Sequence, residues 1–162
     1  MPASRHEPLL HSVKLTTARN LSPLFDEAVR DELPVMIVRS NREHGVLVSR
    51  DAVLRLLTTF PVHVDVVPED EGGFTLWLRE LDIGGTGESI EAARDDLLSA
   101  VRAYVRDYHQ QFGFYRHLPE MATREPYVFR LSLAQDDAEL LALLFGDEAP
   151  PADTTRSQAQ AR

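Results

Sequence analysis

The sequence predicts an α+β fold in two modules with a disordered tail, on three observations. Short β-branched runs come in pairs around polar or glycine turns, as Val35–Val38 with Gly45–Val48 and Val62–Val67 with Phe74–Leu78. Between these pairs, apolar residues return every three or four positions, the period of a helix packed on one side. The polar-to-proline break Thr58-Thr59-Phe60-Pro61 separates the two pairs and divides the chain into residues 1–60, 61–146 and 147–162.

In the first module, residues 1–12 read as a loose arm, and Val13 and Leu15 alternate with Lys14 and Thr16 as one short strand. Ala18, Leu21, Phe25 and Ala28 then mark a helical face. Pro23 leaves two starts open for that helix, because a proline deep in a helix costs ~3 kcal/mol but is at home in its first turn. Either the helix begins at Ser22, with Ser22 suited as N-cap, or it begins near Thr16 or Thr17 and bends. Val35–Val38 and Gly45–Val48 flank a polar turn, Arg39 to His44, as a hairpin. Ser49 caps a second helix through Val53, Leu56 and Leu57, with Asp51 well placed in its first turn.

The second module opens with the strand Val62–Val67, turns at Pro68 to Gly73, and returns through Phe74, Leu76 and Leu78. Gly84-Gly85-Thr86-Gly87 leads into a long helix whose apolar face is Ile90, Ala93, Leu97, Val101, Tyr104 and Tyr108. Residues 109–126 hold no clear period. Tyr127, Phe129, Leu131 and Leu133 alternate as a strand that would complete the sheet, before a helix from Asp136 to Phe145 that stops at Gly146. The segment Asp147–Arg162 is rich in Ala, Pro, Gln and Thr and is expected to be disordered.

Composition narrows the function. The chain has 162 residues, 43% of them hydrophobic, enough to bury a core. It contains no cysteine, which excludes disulfide scaffolds, thiolate zinc sites and a thiol nucleophile. No run approaches the roughly 20 apolar residues of a membrane helix, and the start MPASRHEPLLHSVK lacks a signal peptide's apolar stretch, so the expected location is the cytoplasm, without membrane contact. The net charge of -9 is unevenly spread: residues 1–60 sum to +1 and residues 61–162 to -10. Phosphates dominate nucleic-acid affinity, so a nucleic-acid site is compatible only with the first module.

Few clusters point to catalysis. His63 and Asp65 share one strand face, which reads as a solvated surface because no third partner is placed by spacing. Gly84–Gly87 lacks a P-loop lysine and the GxGxxG spacing, and reads as a tight strand-to-helix connection. Glu69-Asp70-Glu71 reads as a solvated hairpin tip, without calcium-loop spacing. No catalytic residue, metal site or cofactor is predicted, and the chain is expected not to be an enzyme. Arg19, beside the first helix, and Arg39 and Arg42, around the hairpin turn, read equally as surface arginines or as contacts to phosphates and guanine edges.

The first module resembles the N-terminal domain of Phd/YefM antitoxins. The matching residues, within about 13–57, are Thr17-Ala18-Arg19-x-Leu21-Ser22, Asp26-Glu27-x-Val29, Pro34-Val35-x-Ile37-x-Arg39 and Val46-Leu47-Val48-Ser49. The resemblance implies a β-α-β-β-α head that dimerises, binds operator DNA and represses its own operon as part of a type II toxin–antitoxin system. It places Arg19 and Arg39 at the DNA, with Thr17, Asn20 and Arg42 as neighbouring contacts. Pro23 and Arg42, the latter where glycine is common, depart from the pattern. Residues 62–108 resemble a HicB-like antitoxin domain, through Asp70-x-Gly72-Gly73-Phe74 and Gly87-Glu88-Ser89-Ile90-Glu91-Ala92-Ala93. That family's Pro-Asp-Leu-Pro-Gly-Cys segment is reduced here to Glu80-Leu81-Asp82-Ile83-Gly84. Together they imply a homodimeric repressor whose acidic second half neutralises a RelE-, Doc- or HicA-like toxin. An interaction module that has lost DNA binding is the competing expectation.

Overall fold

The computed structural model describes residues 21–39, 43–70 and 72–146. Within them the architecture is α+β and divides into two compact units, one ending at Pro61 and the other beginning at Val62. The expected strand at Val13–Leu15 and the tail from Asp147 lie outside the described residues.

The first unit contains helix α1 (Ser22–Arg30), strands β1 (Val35–Arg39) and β2 (Glu43–Leu47), and helix α2 (Arg50–Leu56), followed by a 3₁₀ turn at Leu57–Thr59. Of the two possible starts for α1, the structure has the later one. Leu21 takes the N-cap position, so Ser22 is the first helical residue rather than the cap, and Pro23 sits in the first turn, where no N–H is needed. The chain leaves α1 through Glu32 at φ +54°, and Arg55 of α2 binds both carboxylate oxygens of Glu32, at 2.8 and 3.4 Å. The hairpin pairs Val35 with Leu47 through Arg39 with Glu43, so both strands reach further into the predicted turn than the apolar pattern indicates. Ser49 caps α2 as expected, its Oγ accepting from the Ala52 amide at 3.2 Å.

The second unit is built on an antiparallel meander, β3 (Val64–Pro68), β4 (Phe74–Leu78) and β5 (Ile83–Gly87), in the order β3-β4-β5. Across one face lies α3 (Ile90–Gln110), capped by the Ser89 hydroxyl; then come α4 (Phe112–Tyr115), α5 (Met121–Ser132) and α6 (Asp137–Phe145). Leu76, Leu78, Leu81, Leu97, Val101, Val105, Val128, Leu131 and Leu140 form its core, each at most 1% exposed.

Three expectations for this unit are corrected. Gly84–Gly87 is not a strand-to-helix connection but most of β5, and its glycines serve packing. A Cβ at Gly85 would lie 2.5 Å from Leu97 Cα and 2.7 Å from the Ala93 carbonyl oxygen, so only a glycine strand lets α3 approach this closely. Residues 109–126, without a visible period, hold α4 and the first half of α5. Tyr127–Leu133 is not a strand: α5 runs through Ser132, with Met121, Val128 and Leu131 buried at helical spacing while Phe129 is 42% exposed. Pro126 lies inside α5 and obscured it, because proline removes a helical donor. The final helix follows expectation, Asp136 accepting from the Glu139 amide as N-cap and Gly146 ending it at φ +70°.

Candidate functional site

The predicted DNA contacts fall mostly outside the described residues: Thr17, Arg19, Asn20 and Arg42 all do. Arg39 is placed by its backbone, at the last position of β1 opposite Glu43, where the hairpin opens into its turn. The side chains of all five residues lie outside what the structure describes. The other arginines of this unit face carboxylates: Arg30 with Asp26 at 3.4 Å, Arg50 with Asp51 at 3.5 Å, and Arg55 with Glu32.

The surface of the first unit is unusual in its apolar content. Ala28 is the only buried hydrophobic residue described in it, whereas Phe25, Val29, Leu33, Met36, Val46 and Leu56 stay exposed, Met36 at 61% and Leu56 at 71%. Phe25 and Val29 lie one turn apart on α1, which packs against both hairpin strands. At about 25 cal/mol per Å², leaving such side chains in water forfeits the main folding term of so small a unit.

In the second unit His63, Asp65 and Glu69 are engaged in structural pairs. His63 and Asp65, read from the sequence as a solvated face, are held separately. The His63 amide donates to Glu80 Oε2 at 3.0 Å and its ring Nδ1 meets Glu80 Oε1 at 2.6 Å, while Asp65 receives a two-pronged hydrogen bond from Arg79. The Arg79 guanidinium holds the Asp65 carboxyl below the ordinary carboxylate range. Burial opposes ionisation of Glu80, but hydrogen bonds from His63 outweigh it and its pKa falls too. Glu69, at the hairpin tip, accepts from Thr75 Oγ1 at 2.6 Å.

A serine–histidine pair without any signal in the sequence joins α3 to α5: His109 Nε2 lies 2.9 Å from Ser132 Oγ. Ser132 is 1% exposed and its hydroxyl donates to the Val128 carbonyl at 2.6 Å, so it is neither accessible nor aimed at a substrate. Burial lowers the His109 pKa from its ordinary value. A cleft of about 200 Å³ between α3 and α6 is lined by Asp95, Leu98, Ser99, Arg102 and Asp137, and Arg102 spends its charge on Asp137. Among the described residues no three His, Cys, Asp or Glu gather as a metal site, and no helix is long and apolar enough to cross a membrane.

Comparison with known proteins gives one family. The model of a family described as antitoxin of toxin–antitoxin, RelE/RelB, matches residues 9–146, running across both units. The chain is also similar to a crystal structure from Syntrophomonas wolfei subsp. wolfei, described as an antitoxin part of a proposed toxin/antitoxin system. The two share 25% identity and a TM-score of 0.65, over 83% of this chain and 96% of that one. No curated protein matches the sequence.

Proposed function

The chain belongs to the family of antitoxins of RelE/RelB toxin–antitoxin systems, and from that premise we propose that it is a homodimeric, DNA-binding autorepressor that also neutralises a partner toxin, without enzymatic activity. The observation that carries the dimer is the apolar surface of the first unit, where Phe25, Val29, Leu33, Met36 and Val46 remain exposed around α1 and the hairpin. A second copy of the unit would bury that surface and present two sets of arginines to a palindromic operator. In this reading the first unit is a Phd/YefM-like head whose Arg19 and Arg39, with Thr17, Asn20 and Arg42, meet the DNA. The second unit is a HicB-like body. Its strongly acidic balance, -10 over residues 61–162, suits a small basic toxin of the RelE, Doc or HicA kind.

The test is a gel-shift titration of the purified protein on its own upstream DNA at two salt concentrations, beside Arg19→Ala/Arg39→Ala. Specific binding that weakens with salt and vanishes in the variant supports the assignment, each lost phosphate contact lowering the salt slope by about 0.9. Undiminished affinity in the double variant refutes it. A second reading, an antitoxin-derived interaction module without DNA binding, rests on the pairing of Arg30, Arg50 and Arg55 with carboxylates, which leaves those cations little to offer a phosphate. A folded, dimeric protein that shifts no upstream DNA would favour it.

A further inference from the structure

The cleft between α3 and α6 is built from both helices. Asp95, Ser99 and Arg102 step by four and three along one side of α3, Leu98 lies beside them at 8% exposure, and Asp137 closes the space from the first turn of α6. Its volume of about 200 Å³ falls below the roughly 300–1,000 Å³ of a small-molecule pocket and suits one long side chain.

The lining decides the chemistry of an occupant. Two carboxylates and one guanidinium leave the cleft at net -1. Arg102 is only 13% exposed and directs both Nε, at 2.6 Å, and Nη2 to Asp137 Oδ1, so the cation is pinned to the wall. The α6 N-terminus is also occupied: Asp136 accepts from the Glu139 amide at 2.8 Å and Glu139 from the Gln135 amide at 2.9 Å. An anion therefore finds no donor set here. Asp95 and Ser99 differ from these residues, because among the described residues neither side chain is engaged in a hydrogen bond or ion pair. A serine within a helix commonly bonds the carbonyl four residues back, here that of Asp95, and Ser99 does not. The rim leans the same way, with Glu91 a turn before Asp95 and Asp136 beside Asp137, against Arg106 a turn beyond Arg102. Metal ions are disfavoured, since no three His, Cys, Asp or Glu gather among the described residues.

We propose that this cleft seats an arginine side chain of the partner toxin, an inference that rests on the toxin-neutralising reading above. A guanidinium carries five N–H donors in one plane, is weakly hydrated, and can meet acceptors on two walls while its face lies on Leu98. In the seated complex it donates to the Asp95 carboxylate and the Ser99 hydroxyl, and the Arg102–Asp137 pair stays intact as the far wall. A lysine ammonium, a compact and strongly hydrated point charge, fits this arrangement less well. The acidic balance of residues 61–162, -10 in all, favours approach of a basic protein, and the cleft gives that attraction one defined anchor.

The first arm of the test uses N-acetylarginine methylamide as probe on the full-length protein, followed by amide ¹H–¹⁵N shifts. Saturable shifts at the amides of Asp95, Ser99 and Asp137 are expected, several-fold weaker with the N-acetyllysine analogue. Asp95→Asn should weaken the probe about threefold, and Asp70→Asn, which removes the same charge outside the cleft, should not. No shift at these amides, equal response to lysine, or equal loss in Asp70→Asn overturns the proposal. The second arm measures affinity for the toxin encoded beside the gene. Asp95→Arg should weaken it roughly tenfold or more, while Asp70→Arg has a smaller effect. Toxin binding that is indifferent to Asp95→Arg overturns the cleft assignment and leaves the neutralising reading standing. A toxin that does not bind the unaltered protein at all refutes that reading, and the occupant proposed here with it.

Discussion

Gly85→Ala tests the central packing decision of the second unit. The added methyl carbon would sit 2.5 Å from Leu97 Cα and 2.7 Å from the Ala93 carbonyl oxygen, and would also run into the Leu97 amide nitrogen. All three are backbone atoms of α3, so no side-chain rotation relieves the overlap, and the helix must retreat by about an ångström to reach ordinary contact. A gap of 0.5–1 Å forfeits about a quarter to a half of each dispersion contact it opens. Ala93, Leu97 and Val101 on α3 would lose that share against Leu76 and Leu78, at the centre of the core. Overpacking ordinarily costs about 1–3 kcal/mol, and a purely backbone clash belongs at or above the top of that range, about 3 kcal/mol or more. Against a total of about 5–15 kcal/mol this is a large share. Gly113→Ala in α4 is the matched control, because a Cβ there meets nothing within 4 Å. It should stabilise by about 0.5–1 kcal/mol, the helical advantage of alanine over glycine. Urea unfolding followed by Trp77 fluorescence and far-ultraviolet circular dichroism reads both. A Gly85→Ala loss below about 1 kcal/mol would refute the claim that α3 lies directly on β5.

Three further outcomes are expected. Pro126→Ala should stabilise the protein by about 1–3 kcal/mol in the same urea assay, because it restores a donor inside α5. In an alkaline absorbance titration Tyr108 and Tyr115 should ionise late, both pushed up to about 12: Tyr108 by burial and then its bond to Glu125, Tyr115 by its bond to Asp107 and then burial. Raised folded values mean that this stability is complete below pH 10 and is lost as the pH rises toward 12, and Tyr108→Phe and Tyr115→Phe should each remove one late step. His109 carries the opposite sign. Burial depresses its folded pKa below 6.5, so the unfolded chain binds the proton first and stability falls as the pH drops below 6.5; His109→Gln should flatten that acidic limb in denaturation midpoints measured from pH 7 to 5.

What the sequence makes legible follows from which force dominates each segment. The hairpin, α2, α3 and α6 announce themselves because their own side chains carry the period and their caps are the residues that bind helix amides: Ser49, Ser89 and Asp136. Strand β5 is silent because the packing that requires it deletes the side chains that would show a two-residue period. Gly84, Gly85 and Gly87 signal a turn when read locally, and become a strand only once the close approach of α3 is known. Helix α5 is silent for another reason. Pro126 speaks against a helix, and the alternation of Tyr127, Phe129, Leu131 and Leu133 imitates a strand, while burial selects Met121, Val128 and Leu131. Tertiary contact overrides local preference in both places.

The same division separates the proposed DNA contacts from the outer edge of β3. The arginines proposed for DNA contact in the first unit come from residue type and motif alone, because recognition of phosphate needs particular residue types. The β3 edge is not legible in this way, because its capacity to pair lies in backbone groups that every residue carries. Val64, Val66 and Pro68 spell an ordinary apolar strand. Only the strand order leaves the amides of Val64 and Val66 and the carbonyls of all three facing outward.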